Sequence, residues 1–390
     1  MINRKRLIKL TQDLIRINSE NPPGNERLIA AFIKDYLGRL GLKSRIYEFK
    51  AGRPNLIAYL KGQGRKSLLV TPHLDTVPSG RSWKIDPFAA KIIKNRIYGL
   101  GATDCKCNIA SIIESINSLL EEGIVLPYNL IFAATADEES GSIFGLIPLL
   151  NKGILKPDAA LVLDADDFEI IIAQKGLIHL KIRIKGKKAH GAYPDQGVNA
   201  IDMALAVISR IKKQRLTYRK HKYLKPPTVN LGTISGGDKV NVVADWCEFE
   251  LDFRFLPGMK AKRIIKRIKD ILNQEARAAS IFNGVPLNAG RIEVEGIQEP
   301  YDISEKHPLV NYLKDALRAA RIKPIIKGSE GATVITFFQE KNIPAIATGF
   351  GVSSCAHIAD EYVKINNLYK GTVALEKFLR IYQPAKGARD

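Results

Sequence analysis

Cysteine is scarce in this sequence: the 390 residues hold four, Cys105, Cys107, Cys247 and Cys355. Their spacings match neither a disulfide framework nor a structural zinc knuckle, so all four read as reduced thiols. Long apolar runs are missing too. No uncharged stretch approaches the ~20 residues a membrane-spanning helix needs. The opening "MINRKRLIKLTQDLIRINSE" is basic but lacks the apolar block of a signal peptide. The expectation is a cytoplasmic protein with no membrane partner. No internal repeat or low-complexity tract is visible.

Acids are outnumbered, 40 Asp and Glu against 60 Lys and Arg, which gives a formal charge of +20. Such a charge favours loose association with acidic surfaces. The basic residues crowd into "SRIKKQRLTYRKHKYLK" (209–225) and "KAKRIIKRIKDIL" (260–272), where they alternate with apolar residues. The second run reads as the solvated flank of an amphipathic helix. No nucleic-acid module signature accompanies them, so no dedicated nucleic-acid partner is expected.

A hydrophobic content of 45% in a chain of this length suits two domains, each with its own core. Helical spacing at 4–17 and 25–40 brackets the turn "SENPPGNE". The strand-like pieces "SRIYEF", "NLIAYL" and "KSLLVTPH" follow, then the helix "CNIASIIESINSLLEEG", then "YNLIFAATADEE", "SIFGLIPLLNKG" and "PDAALVLDADD". The rhythm is strand, helix, strand, with polar residues at the strands' C-terminal ends, where open α/β sheets place their sites. It breaks near residue 175, where "GLIHLKIRIKGKKAH" alternates at period two as a half-solvated strand does. The predicted fold is therefore α/β, with a mostly parallel-sheet domain (1–175 and 290–390) and an inserted antiparallel α+β domain (176–289). The tail "QPAKGARD" reads as loop.

Five segments of the larger domain end in groups that suit divalent metals. They are "TPHLD" (His73, Asp75), "GATD" (Asp104), "TADEES" (Asp137, Glu138, Glu139), "VLDADD" (Asp164, Asp166, Asp167) and "SSCAHIADE" (His357, Asp360, Glu361). Singly, a histidine at a strand end is usually just a hydrogen-bonding group, and paired acids usually form a solvated turn. Collected on one sheet edge, the acids repel unless protons or cations hold them together. A mixed carboxylate and imidazole set suits zinc, cobalt or manganese. His73 and Asp75 face one way on extended backbone, so Asp75 can support a ligating His73 through its other ring nitrogen. Asp104, approached by glycines, suits a carboxylate shared by two ions. Adjacent Glu138 and Glu139 divide the work, one binding metal while the other deprotonates water.

In order and spacing, "HLDTVP", Trp83 with Asp86–Phe88, "IYGLGATDCK", "TADEES", the strand-end acid and "AHIADEYV" resemble the zinc aminoacylase, acetylornithine deacetylase and succinyl-diaminopimelate desuccinylase family of co-catalytic metallopeptidases. The inserted segment resembles that family's lid and dimerisation domain through "KGKKAHGAYPDQGVNA", "NLGTISGGDKVNVVAD" and "DFRFLPG". The resemblance implies a phosphorylase/hydrolase-like sandwich for the catalytic domain and two bound divalent ions, zinc foremost. His73, Asp104 and Asp164 would hold one ion, and Asp104, Glu139 and His357 the other. Asp75 would orient His73, and Glu138 would serve as general base and then proton donor. His190 would reach a partner subunit's site and stabilise the oxyanion, which implies a homodimer. Asn241 and Arg254 would meet the substrate, Arg254 through its carboxylate.

The implied reaction is hydrolysis of the amide bond of an N-acyl amino acid; the alternative is a carboxypeptidase or dipeptidase acting on short peptides. Three departures bear on the choice. "GLGATDCKCN" replaces the family's usual "GRGxxDxKG". "LDA" stands where deacetylase-like members have "GEP", making the ligand Asp164, with Asp166 the fallback. "GATVITFF" (331–338) replaces "GGTSDAR", which puts Val334 and Thr336 at polar substrate-side positions.

Overall fold

The computed structural model describes residues 1–214, 216–283 and 290–384. Arg215 of the first basic run and residues 385–390 of the tail lie outside them. The chain divides into two units, one of Met1–Ile172, Ile303–Lys327 and Thr333–Asp390, the other of Ala173–Asp302 and Gly328–Ala332.

The larger unit is built on Ser67–Thr71, Asn129–Ala134, Ala159–Leu163 and Ala345–Thr348, four strands paired in parallel. Leu68 stands beside Leu130 on one side and Ala159 on the other, and Thr348 beside Leu163. Their apolar runs are buried almost throughout, as strands covered on both faces require. Pro54–Leu60 and Ser44–Glu48 extend one edge antiparallel, and Glu169–Gln174 pairs antiparallel on the other side. The α/β class with a parallel centre is thus the observed one.

Among the covering helices, Lys106–Glu121 is buried from Lys106 to Leu119. Two of its polar groups find partners from other helices or their ends. Glu114 receives Arg6 Nε at 2.6 Å and the Asn3 amide at 2.7 Å, while Ser118 donates to Glu376 at 2.5 Å. Gly123 ends it with a φ of +64°, and the amide of Ile124 returns to the Leu119 carbonyl at 2.9 Å, a left-handed stop that glycine adopts without strain.

Period-two alternation in the smaller unit yields an antiparallel sheet in the order Thr228–Gly236, Trp246–Phe255, Gly176–Lys185, Arg291–Gln298. Ile178, Leu180, Ile182 and Ile184 point into a core shared with the helices Ala200–Lys213 and Ala261–Asn283. The unit runs past 289, where the sequence placed its end, because Ile292 and Val294 pair with Ile182 and Leu180. The amphipathic helix read in 260–272 also continues, to Asn283.

Sequence patterning missed one element. Lys91–Ile93, Arg96–Tyr98 and Tyr362–Lys364 form a three-stranded sheet, each strand three residues long and too short to show a period. It matters because it carries Glu361, at the edge of the last strand, up to the loop before Asp104.

Candidate metal centre

The acids and histidines of the larger unit gather where its parallel strands end. His73 lies two residues beyond Ser67–Thr71, Glu138 and Glu139 sit in a single 3-10 turn beyond Asn129–Ala134, and Asp164 directly follows Ala159–Leu163. His357 comes from the loop after Ala345–Thr348, and Asp104 from the loop before the helix Lys106–Glu121. Parallel pairing brings these ends to one edge of the sheet.

Asp104 divides its carboxylate between the two histidines. Its Oδ1 lies 2.9 Å from His73 Nε2, and its Oδ2 lies 3.1 Å from His357 Nε2. Asp164 Oδ1 is 3.7 Å from the same His73 nitrogen, and Glu139 Oε2 is 3.3 Å from the same His357 nitrogen. Ligand atoms of Asp104, Glu139 and His357 all fall within 4.8 Å of one another, as do those of His73, Glu138 and Asp164. Glu138 thus stands in the His73 group. Cys105 is close as well, but its thiol donates to the His73 carbonyl at 3.2 Å, and burial pushes it up to about 12, which keeps the proton on sulfur.

This edge concentrates negative charge in a strongly basic protein. Burial pushes the Asp104 carboxyl up, but hydrogen bonds from His357 and His73 outweigh it and hold the group well below the usual carboxylate range. Burial likewise disfavours a charged His73, yet the carboxylates of Asp104, Asp164 and Asp75 raise it well above an ordinary imidazole. His357 rises to about 10 through its bonds to Asp104 and Glu139. Glu138 is pushed far up by burial and then by Asp164, and Asp166 reaches about 8 by burial beside Asp104. Apart from Asp104, the cluster therefore keeps protons where ordinary carboxylates and imidazoles would release them, the signature of a site that calls for positive charge. Glu139 Oε1 is buried and has no hydrogen-bond partner among the described residues. Mixed imidazole and carboxylate donors with an orphaned buried oxygen fit divalent ions of the zinc type.

Neighbours fix the donors in place. The His73 Nδ1 lies 2.9 Å from the Asp75 carbonyl and 3.5 Å from its carboxylate. The Asp75 carboxylate itself accepts from the amides of Glu138 and Glu139, both at 3.1 Å, and from Asn21 Nδ2 at 2.8 Å. It therefore anchors the turn bearing both glutamates as well as facing His73. Glu361 points away from the donor set: its carboxylate accepts from the amides of Gly101, Thr103 and Asp104 at 3.0, 2.6 and 3.0 Å. Gly101, with a φ of +78°, lets that loop fold around the carboxylate. Asp137, also left-handed at φ +67°, offers Oδ1 to Arg53 at 2.9 Å and accepts from the Phe144 amide at 2.9 Å. Asp360 accepts from the amides of Lys84 and Ile85, next to Trp83. The sequence reading missed Asn21, Arg53 and the holding role of Glu361, since an acid bound to three backbone amides has no spacing signature.

The remaining candidates belong to the smaller unit. His190 is exposed, its Nδ1 accepting from the Ala192 amide at 3.1 Å, and Asn241 stands beside it, its carbonyl accepting from the Gly191 amide at 2.8 Å. Arg254 is not a free cation: Asp252 takes its guanidinium in two bonds of 2.7 and 2.9 Å. In the larger unit, Val334 and Thr336, at the positions where the family motif is polar, are buried.

Comparison with known proteins adds an independent line. Residues 69–381 match the profile of peptidase family M20/M25/M40. The acetylornithine deacetylase of Edwardsiella ictaluri is 33% identical over 357 residues, 87% of this chain and 86% of that protein. The acetylornithine deacetylase of Vibrio vulnificus is 29% identical, covering 94% of this chain and 95% of that one. Among solved structures, an aminopeptidase of Bacillus cereus superposes with a TM-score of 0.80 at 24% identity, covering 97% of this chain and 98% of its own. A tripeptidase of Staphylococcus aureus gives 0.79 at 26% identity, with 98% and 99% covered.

Proposed function

The chain belongs to peptidase family M20/M25/M40, a family of metal-dependent hydrolases, and within it we propose a two-metal deacylase that splits the amide bond of N-acyl amino acids into a carboxylic acid and a free amino acid. The observation that carries this reading is the Asp104 carboxylate, which turns one oxygen to His73 and the other to His357 with Glu138 and Glu139 alongside. The deacylase assignment is supported by relatives of about this length that bear the name acetylornithine deacetylase.

Two divalent ions, zinc foremost with cobalt or manganese as alternatives, would be held by His73, Asp104 and Asp164 and by Asp104, Glu139 and His357, supplying charge that acidifies water and polarises the amide carbonyl. Glu138 takes the proton from the attacking water and returns it to the departing amine, so the carbonyl carbon gains oxygen as the C–N bond breaks. Asp75 keeps Glu138 aimed by holding its amide. We further assign the inserted domain, read from the sequence as 176–289, the part of a lid through which two chains form a homodimer. His190 of the partner subunit would then donate to the developing oxyanion, and Asn241 and Arg254 would contact the substrate. Arg254 can meet a substrate carboxylate only by sharing or releasing Asp252.

Cleavage of short peptides is the second reading. It is favoured by the likeness to the Staphylococcus aureus tripeptidase and by the buried apolar Val334 at a position where the family motif is polar. Assays of zinc-reloaded protein on N-acetyl and N-succinyl amino acids, dipeptides and tripeptides separate the two. The deacylase reading expects the best acyl amino acid to exceed every peptide in kcat/KM by at least about tenfold, ~1.4 kcal/mol of discrimination. A peptide in first place transfers the assignment to the second reading, and no turnover of any amide defeats both.

A further inference from the structure

The two basic runs of the sequence, 209–225 and 260–272, meet in the smaller unit around one cavity of about 530 Å³. Arg219, Lys260, Arg263 and Arg267 line it, and no acid is among its described lining residues. All four are exposed, and none makes an ion pair among the described residues. The floor is apolar. Ile264 belongs to the core of the unit, and Leu216 and Met259 pack against that core. The size lies within the range of small-molecule sites, roughly 300–1,000 Å³.

This placement of charge works against the fold. Lys260 directly precedes the helix Ala261–Asn283, and Arg263 and Arg267 lie in its first two turns, where no acid compensates in the first turn. A helix N-terminus carries partial positive charge and favours anions, so cations there are unfavourable. Arg263 and Arg267 are also a like-charge pair four residues apart on the helix. The other helix of the same unit, Ala200–Lys213, follows the opposite pattern, with Asp202 in its first turn and Arg210, Lys212 and Lys213 in its last. One helix of the unit thus obeys the electrostatic rule and its neighbour breaks it around a cavity, a local departure of the kind expected at functional sites.

We propose that this cavity binds an organic phosphate, a multiply charged anion joined to an apolar group. The arginines grip the phosphate oxygens and the apolar group lies on Leu216, Met259 and Ile264. Guanidinium groups match phosphate by paired hydrogen bonds, and a phosphate concentrates on one group the charge that several cations need. The site uses none of the residues assigned to hydrolysis, so it stands or falls separately from the proposed reaction.

Calorimetric titration of the full, metal-loaded chain tests it with adenosine monophosphate, phenyl phosphate, inorganic phosphate, adenosine and succinate. At least one of the two organic phosphates is expected to saturate one site per chain, at least tenfold more tightly than inorganic phosphate, adenosine or succinate. The exposed double substitution Arg263→Gln/Arg267→Gln is expected to weaken that binding at least tenfold while leaving metal content and circular dichroism unchanged. The proposal is overturned if neither organic phosphate saturates at millimolar concentration, if inorganic phosphate, succinate or adenosine binds as tightly, or if the double variant binds like the parent.

Discussion

Replacing Arg53 by methionine keeps most of the side chain's volume and deletes one buried charge. The guanidinium lies 2.8–3.0 Å from the Glu26 carboxylate and 2.9 Å from Asp137 Oδ1, and all three residues are buried. Asp137 in turn opens the turn that carries Glu138 and Glu139. Removing one partner from a buried ionic cluster typically costs about 3–5 kcal/mol, because the carboxylates left behind are desolvated and unpaired. Glu26 recovers part of this by taking a proton. Burial already pushes it up to about 7 against the pull of Arg53, so the net loss near neutral pH is set at about 3 kcal/mol. A carboxyl whose folded pKa exceeds its unfolded value gives stability that is complete below the unfolded pKa and lost as pH rises through the folded one. Without Arg53 the Glu26 pKa climbs further, so the variant's deficit should grow between about pH 6 and pH 8. Urea denaturation of metal-stripped parent and Arg53→Met, followed by circular dichroism at both pH values, measures it. A deficit under about 1 kcal/mol, the level of an exposed pair, or one that shrinks as pH rises, refutes the reasoning.

Glu361→Gln replaces an acceptor-only group with one whose amide end faces backbone N–H donors of the Gly101–Asp104 loop. It should weaken zinc binding by roughly 10–100-fold, as loss of a group that orients a ligand does, measured by competition with a chromogenic chelator. His307 caps the helix Pro308–Ala319, its Nδ1 accepting from the Leu309 amide at 3.2 Å, and burial lowers its pKa. A base with a depressed folded pKa gives stability that is present above its unfolded pKa and lost as pH falls, so the parent should lose stability below about pH 6.5. His307→Asn keeps the cap without titrating, and the difference in urea midpoint between the two proteins should change in its favour as pH falls; a difference independent of pH removes His307 from the account.

The sequence made the sheet and the polar edge that carries its acids legible for one physical reason. Strands such as "LLV" and "AALVL" are continuous apolar runs, and the polar residue that ends each run marks the functional edge. That pattern marks His73 and the acidic segments beside it, the choice of Glu139, Asp164 and His357 among them is what the family resemblance implies, and the structure brings these residues together with Asp104. The sheet of three-residue strands stayed hidden because its strands are shorter than any period. The clamp from Glu26 through Arg53 to Asp137 stayed hidden because its members lie more than 80 residues apart at the far end, and nothing in local spacing reports a contact made by folding. Asp75 read as a partner for His73, while the structure adds the amides of Glu138 and Glu139 to its work. The pairing of Arg254 with Asp252 could have been anticipated, since residues two apart on a strand share a face.

The proposed division of labour between Glu138 and Glu139 is tested most directly by Glu138→Gln, with metal content and amide hydrolysis measured on the same zinc-loaded sample. Glu138 stands within reach of His73 and Asp164, so it is placed where either a base or a ligand would be. If it is the base, the variant keeps both zinc ions and loses roughly 10²–10⁴-fold in kcat. Loss of a zinc ion from the variant, or hydrolysis at the parent's rate, would contradict the account.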